Sequence, residues 1–121
     1  MKKILVVDDE PSVREVLTSF LGDYGYDVKE AEDGERALEV ARELRPQIVL
    51  LDVAMPKMSG IEVLRRLRQE APESTVIMIS GHADEQTALD ALDMGAYDFI
   101  RKPFDLDYLE NVVLVKMATC K

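Results

Sequence analysis

Three stretches of the chain are unbroken apolar runs: Ile4 to Val7, Ile48 to Leu51 and Val76 to Ile79. Short runs without polar alternation fit parallel strands covered by helices on both faces. Weaker strand patterns lie over Asp27 to Ala31 and Tyr97 to Ile100, and helical spacing fills the intervals. Val13, Val16, Leu17, Phe20 and Leu21 follow a helical period behind Pro11, which suits a first turn, and Gly22 and Gly25 stop it. Gly34 to Leu44 reads as a second helix ending before Pro46. Ile61, Leu64 and Leu67 mark a third, opened by Ser59-Gly60 and closed near Pro72. Ala83 to Met94 forms a fourth, and Leu106, Leu109, Val112, Val113 and Met117 a fifth, begun by Asp105 as its cap.

Five alternations of strand and helix imply an α/β fold: a three-layer sandwich with a five-stranded parallel sheet, five helices and right-handed crossovers. At 121 residues the chain is one domain, residues 1–121, with a core that needs no disulfide or structural metal. The expected strand order is the flavodoxin-like 2-1-3-4-5, in which strands 1 and 3 are neighbours and the winding reverses between them. Ligands bind beyond the carboxyl ends of the strands at such a switch point.

That edge of the sheet collects polar residues. Asp8 and Asp9 end the first strand, Asp52 follows Leu51, Ser80 ends the fourth strand and Lys102 lies just past the fifth. Crowded carboxylates repel one another and lose hydration near a core, so they call for a cation. An oxygen-only set with few protein ligands suits Mg²⁺, which keeps several waters and joins a phosphoryl group; Mn²⁺ should substitute. Lys102 would pair with Asp52 or with a phosphoryl oxygen, and Ser80 would donate to another. Asp52, alone on the central strand, is the expected nucleophile, leaving the Asp8-Asp9 pair to hold the metal.

The stretches VVDDEP, LLDVAMPKMSGIEVL, MISGHAD and GAYDFIRKPF, in this order and spacing, resemble the receiver (CheY-like) domain of two-component response regulators. MISGHAD with GAYDFIRKPF is most similar to receivers of enhancer-binding transcription activators. The resemblance implies Asp52 as phosphoacceptor and a metal ligand, Asp9 as a direct metal ligand, Asp8 as a ligand directly or through water, and the Ala54 backbone carbonyl as a further ligand. It implies that Lys102 contacts the phosphoryl group, that Lys102-Pro103 is a cis peptide, and that Ser80 and Phe99 are the switch hydroxyl and switch aromatic. Phe99 carries no hydroxyl, so its signal would rest on packing. Met55 belongs to the loop after the acceptor. It and Met58 read as packing residues, since a thioether is too soft for Mg²⁺. His82, the only histidine, borders the same edge, and by the resemblance the positions of Ala54 and His82 flank the path of the hydrolytic water.

The implied function is acceptance of a phosphoryl group from a sensor histidine kinase. The face made by the fourth helix, fifth strand and fifth helix would then switch to control an output domain or downstream protein, with transcription the expected output. The chain would be no enzyme toward other substrates, catalysing only its own phosphorylation and dephosphorylation. Apolar residues at four consecutive positions, Val112 to Val115, fit either a homodimer through that face or residues exposed singly. The alternatives are a phosphorylation-independent binding module, which would usually lack an acid or the lysine, and an aspartyl-phosphate phosphatase, which would separate its two aspartates by two positions. An FMN carrier is disfavoured because Asp8-Asp9-Glu10 would repel the phosphate.

A net charge of -9 argues against direct nucleic-acid binding by this domain. No apolar run approaches a membrane span, Met1-Lys2-Lys3 opens no signal peptide, and the lone Cys120 fits a reducing compartment, which together imply the cytoplasm. The chain stops where a linker to an output domain would begin, so it reads as a single-domain regulator or as the receiver of a longer one. Glu10 and Glu32 are explained as a solvated edge. Arg65, Arg66 and Arg68 read as an exposed helix face with Glu62 and Glu70 as helical neighbours.

Overall fold

Parallel pairing orders the five strands β2-β1-β3-β4-β5 in one sheet. The computed structural model describes residues 2–81 and 84–119, in the sequence β1 (Lys3–Val7), α1 (Pro11–Gly22), β2 (Asp27–Ala31), α2 (Gly34–Leu44), β3 (Ile48–Asp52), α3 (Gly60–Glu70), β4 (Thr75–Ser80), α4 (Glu85–Asp93), β5 (Asp98–Arg101) and α5 (Leu106–Thr119). The expected fold class, order and element count are all present. The differences are small: α4 covers Glu85–Asp93 of the expected Ala83 to Met94, of which Ala83 lies outside the described residues, and β5 is displaced by one residue. Asp84 explains the start of α4, because its side chain accepts a hydrogen bond from the Thr87 amide at 2.8 Å and caps the helix there.

The apolar runs carry no alternation because both faces of the central strands are covered. Leu5, Val7, Val49, Leu51, Val76 and Met78 face one side, where they pack with Ala37, Leu38 and Ala41 of α2, Val63, Leu64 and Leu67 of α3, and Ala91 of α4. Ile4, Val6, Ile48, Leu50, Ile77, Ile79 and Ile100 face the other, against Leu17 and Leu21 of α1 and Leu109, Val113 and Met117 of α5. Helix stripes are wider than these contacts: Val16 is exposed on α1, and Val115 is 62% exposed on α5.

Helix ends follow local chemistry. Asp33 caps α2 through the Arg36 amide at 2.8 Å, Ser59 caps α3 through the Glu62 amide at 3.3 Å, and Asp105 accepts from the Asp107 amide at 2.8 Å at the start of α5. Arg45 ends α2 in the left-handed region (φ 51), one residue ahead of Pro46. The arginines of α3 divide. Arg65 and Arg66 pair with Glu62, but Arg68 donates to the carbonyls of Pro72 and Ser74, and Glu70 pairs across to Arg42 of α2 at 2.8 Å. The reading of these residues as one solvated face therefore holds for Arg65 and Arg66 only.

Candidate functional site: an acidic cluster and a shared lysine

Five parallel strands bring their carboxyl ends to one edge, and side-chain parity decides which face each polar residue takes. Asp52 continues the series Ile48, Leu50 on the α1/α5 face of β3. Asp8 and Lys102 extend the matching series of β1 and β5. Ser80 continues the series Val76, Met78 on the opposite face of β4, and Phe99 packs there as well, half-buried against the core beneath α2, α3 and α4.

Asp8 is buried, 2% exposed, and both of its carboxylate oxygens are engaged. One accepts the Glu10 amide at 2.9 Å and the other accepts the Lys102 ammonium at 2.8 Å. Asp9 is exposed beside it. Lys102 also lies 3.4 Å from Glu10 and 3.8 Å from Asp52, so one ammonium is shared among three carboxylates. Burial alone would lower its pKa. The hydrogen bond it donates to Asp8 and the charges of Asp52, Asp8 and Glu10 outweigh that and hold it above the ordinary lysine value. The expected Lys102–Asp52 pair is thus the longest of the three contacts, and Glu10, expected to be merely solvated, faces the ammonium.

Asp52 is 3% exposed at the end of β3. Burial first, then the charge of Asp8, push its pKa up to about 6, with Lys102 and the Ala54 amide pulling the other way. It is mostly ionised at neutral pH, an oxygen nucleophile held by one backbone donor and one nearby cation. The loop that follows is shaped by backbone bonds: Val53 to the Ile79 carbonyl at 3.3 Å, Met58 to Pro56 at 2.8 Å and Gly60 to Val53 at 2.8 Å. Gly60 packs so closely on β3 that a Cβ there would stand 2.0 Å from the Asp52 carbonyl oxygen. Met55 and Met58 pack against the core, as expected of soft side chains.

Lys102-Pro103 is cis, as the resemblance implies, and Pro103 is exposed. Ser80 is buried, and the Arg101 guanidinium lies 5.9 Å from the centre of the Phe99 ring. His82 and Cys120 lie outside the described residues.

Sequence reasoning missed Arg14. Its guanidinium donates to the Asp8 carbonyl at 2.6 Å and pairs with Glu30 of β2 at 2.9 Å, tying the acidic loop to the sheet. A signal was present: a cation in the first turn of α1 opposes the helix dipole and therefore asks for another partner.

A cation fits the acidic edge by the chemistry of its donors. Asp8, Asp9 and Glu10 each offer a carboxylate oxygen, and these lie within 4.8 Å of one another. Such an all-oxygen, anionic set suits a hard divalent ion. The grouping contains Glu10 where the sequence reading placed Asp52.

Comparison with known proteins agrees with this geometry. The response regulator receiver domain family matches residues 4–114. The chain is 38% identical over 113 residues to the regulatory protein AtoC of Escherichia coli (strain K12), covering 93% of this chain and 24% of AtoC. It is 41% identical over 117 residues to the nitrogen assimilation regulatory protein NtrX of Azorhizobium caulinodans, covering 95% of this chain and 25% of that one. It therefore spans about a quarter of the length of these two relatives. The crystal structure of the receiver domain of NtrX from Brucella abortus superposes with a TM-score of 0.89 at 38% identity, covering 96% of this chain and 98% of that one. Its apolar runs, its strand order and the placement of its acids and lysine lead to one conclusion: the chain belongs to the response regulator receiver domain family, with enhancer-binding activators among its nearest relatives.

Proposed function

We propose that this domain accepts a phosphoryl group on Asp52 from the phosphohistidine of a sensor histidine kinase and releases it by hydrolysis. The observation that carries the reading is Asp52 itself: a carboxylate 3% exposed at the end of the central strand, 3.8 Å from a lysine ammonium and beside a cluster of acids. In the forward step an Asp52 carboxylate oxygen attacks phosphorus, the P–N bond to the donor imidazole breaks, and the imidazole takes a proton from solvent. In the reset, water attacks phosphorus, the P–O bond to Asp52 breaks and inorganic phosphate leaves. In this reading the domain catalyses only its own phosphorylation and dephosphorylation and is no enzyme toward other substrates.

Asp8 and Asp9, with the Ala54 carbonyl, would hold Mg²⁺ or Mn²⁺, and the bound ion would neutralise phosphoryl charge. The chain's own residues do the rest. Lys102 holds an equatorial oxygen, Ser80 donates to another, and the backbone after β3 keeps the nucleophile in line. Movement of Ser80 and Phe99 shifts an existing equilibrium of the α4–β5–α5 face. Exposed Leu89, Leu92, Tyr108 and Val115 on these helices, with Tyr97 just ahead of β5, support an interaction there, with a second copy or with an output domain. Among the described residues no helix is long and apolar enough to cross a membrane, which is consistent with the cytoplasmic setting we assign.

The test is intact-mass analysis after incubation with acetyl phosphate and Mg²⁺. One phosphoryl adduct on the parent, absent with EDTA and absent from Asp52→Asn, is the expected result. An adduct that survives in Asp52→Asn would move the acceptor elsewhere.

A further inference from the structure

Glu10 occupies the N-cap of α1 yet makes no side-chain capping bond. The side chains that usually cap a first turn are those of Ser, Thr, Asp and Asn, and the longer Glu10 side chain does not take that part here. Its own amide is instead fixed by Asp8 at 2.9 Å, and its carboxylate turns back over the site to lie 3.4 Å from Lys102, 92 residues away. The lysine's distances rank Asp8 at 2.8 Å, Glu10 at 3.4 Å and Asp52 at 3.8 Å. The ammonium thus sits on the β1 side of the site, within hydrogen-bond reach of both carboxylates of the β1–α1 loop and beyond that reach of the acceptor.

We infer that Glu10 is a positioning residue that holds the Lys102 ammonium away from Asp52 while the acceptor is unmodified, and so slows phosphoryl acceptance. This rests on the function proposed above. A lysine ammonium has three N–H donors and no fixed fork, so it is redistributed by small changes in the charges around it. Asp8 is the stronger holder, but a cation bound at the acidic edge takes up Asp8 charge. Glu10 then remains to compete with Asp52 and with an incoming phosphoryl oxygen. The Lys102 side chain is only 15% exposed, so its stem is confined and the choice lies among these neighbours rather than between protein and open solvent.

Because the Glu10 carboxylate is largely in water, the effect is modest and screened by salt: Glu10→Gln should raise the rate of adduct formation from acetyl phosphate about two- to fivefold at low salt. The gap should close at about 0.5 M NaCl. Glu10→Asp, which keeps the charge on a shorter stem, should fall between the two, and Mg²⁺ affinity is followed separately by calorimetric titration because Glu10 also belongs to the acidic group at this edge. Glu32→Gln serves as the control for simple repulsion of an anionic donor.

A rate for Glu10→Gln equal to or below the parent's overturns the inference, as does an equal rise in Glu32→Gln. Loss of Mg²⁺ affinity with a matching loss of rate would make Glu10 a metal ligand and likewise overturn it. An adduct on the parent with no change in the variant removes the Glu10 inference alone. No adduct on any of them removes the proposed function with it.

Discussion

Ser80 and Phe99 stand on the same face of neighbouring strands, one side-chain position apart: Phe99 is paired with Met78, and Ser80 lies two residues further along β4. In the proposed switch, a Ser80 hydroxyl turning toward Asp52 would open space for the ring to follow, and the ring packs against the core that includes Ala91 of α4. Such a coupling would run through packing, since the ring has no polar atom.

Phe99→Leu should therefore separate acceptance from response. The cost in stability is about 1 kcal/mol for a half-buried ring exchanged for an aliphatic side chain. On adding beryllofluoride with Mg²⁺, amide shift changes around Asp52 should persist while those in α4 and α5 shrink. Undiminished changes in both helices would remove Phe99 from the switch.

Metal-free Asp52→Asn should be more stable than the parent at neutral pH. The Asp52 pKa is raised to about 6, so the fold binds that proton more tightly than the unfolded chain, whose pKa is near 3.8. The associated stability is fully present below about pH 4 and is lost as pH rises through about 6. Thermal melts in EDTA should show the variant ahead by on the order of 1–3 kcal/mol at pH 7.5, with the gap closing toward about pH 4.5. A gap independent of pH would contradict the assignment.

Arg14→Gln should loosen the β1–α1 loop. Arg14 holds the Asp8 carbonyl at 2.6 Å and Glu30 at 2.9 Å, and it is mostly covered. A loss of about 1–2 kcal/mol is expected, because a buried carbonyl loses a charged donor. Mg²⁺ affinity should weaken severalfold, read by calorimetric titration. Glu30→Gln should do less, since that carboxylate is half-exposed. Unchanged affinity in Arg14→Gln would mean that the loop holds its shape without the clamp.

Two glycines should differ in their tolerance of alanine. At Gly60 the added Cβ meets backbone, the Asp52 carbonyl oxygen at 2.0 Å and Val53 Cα at 2.7 Å. At Gly34 it meets side chains, Val63 Cγ2 at 2.8 Å and Met58 Sδ at 3.0 Å, which can move. Gly60→Ala should cost about 3 kcal/mol or more and slow adduct formation by displacing the end of β3; Gly34→Ala should cost about 1–2 kcal/mol with the site intact. Denaturant melts rank the pair, and the reverse order would contradict the close approach at Gly60.

The local pattern of Ile4 to Val7, Ile48 to Leu51 and Val76 to Ile79 determined the architecture, because a strand buried on both faces can contain little else. The strand ends then named Asp8, Asp9, Asp52, Ser80 and Lys102, since a parallel sheet brings those ends to one edge whatever the loops do. Only the tertiary structure decided the faces and the partners. Lys102 reaches Asp8 across 94 positions of sequence and Glu10 across 92, and Arg14 of α1 reaches Glu30 on β2. Such contacts depend on register, on twist and on the reach of long flexible side chains, none of which leaves a periodic trace in the chain. Glu10 illustrates the limit: by position it is an exposed acid at a helix start, and it gains a role only because folding places a lysine 3.4 Å away.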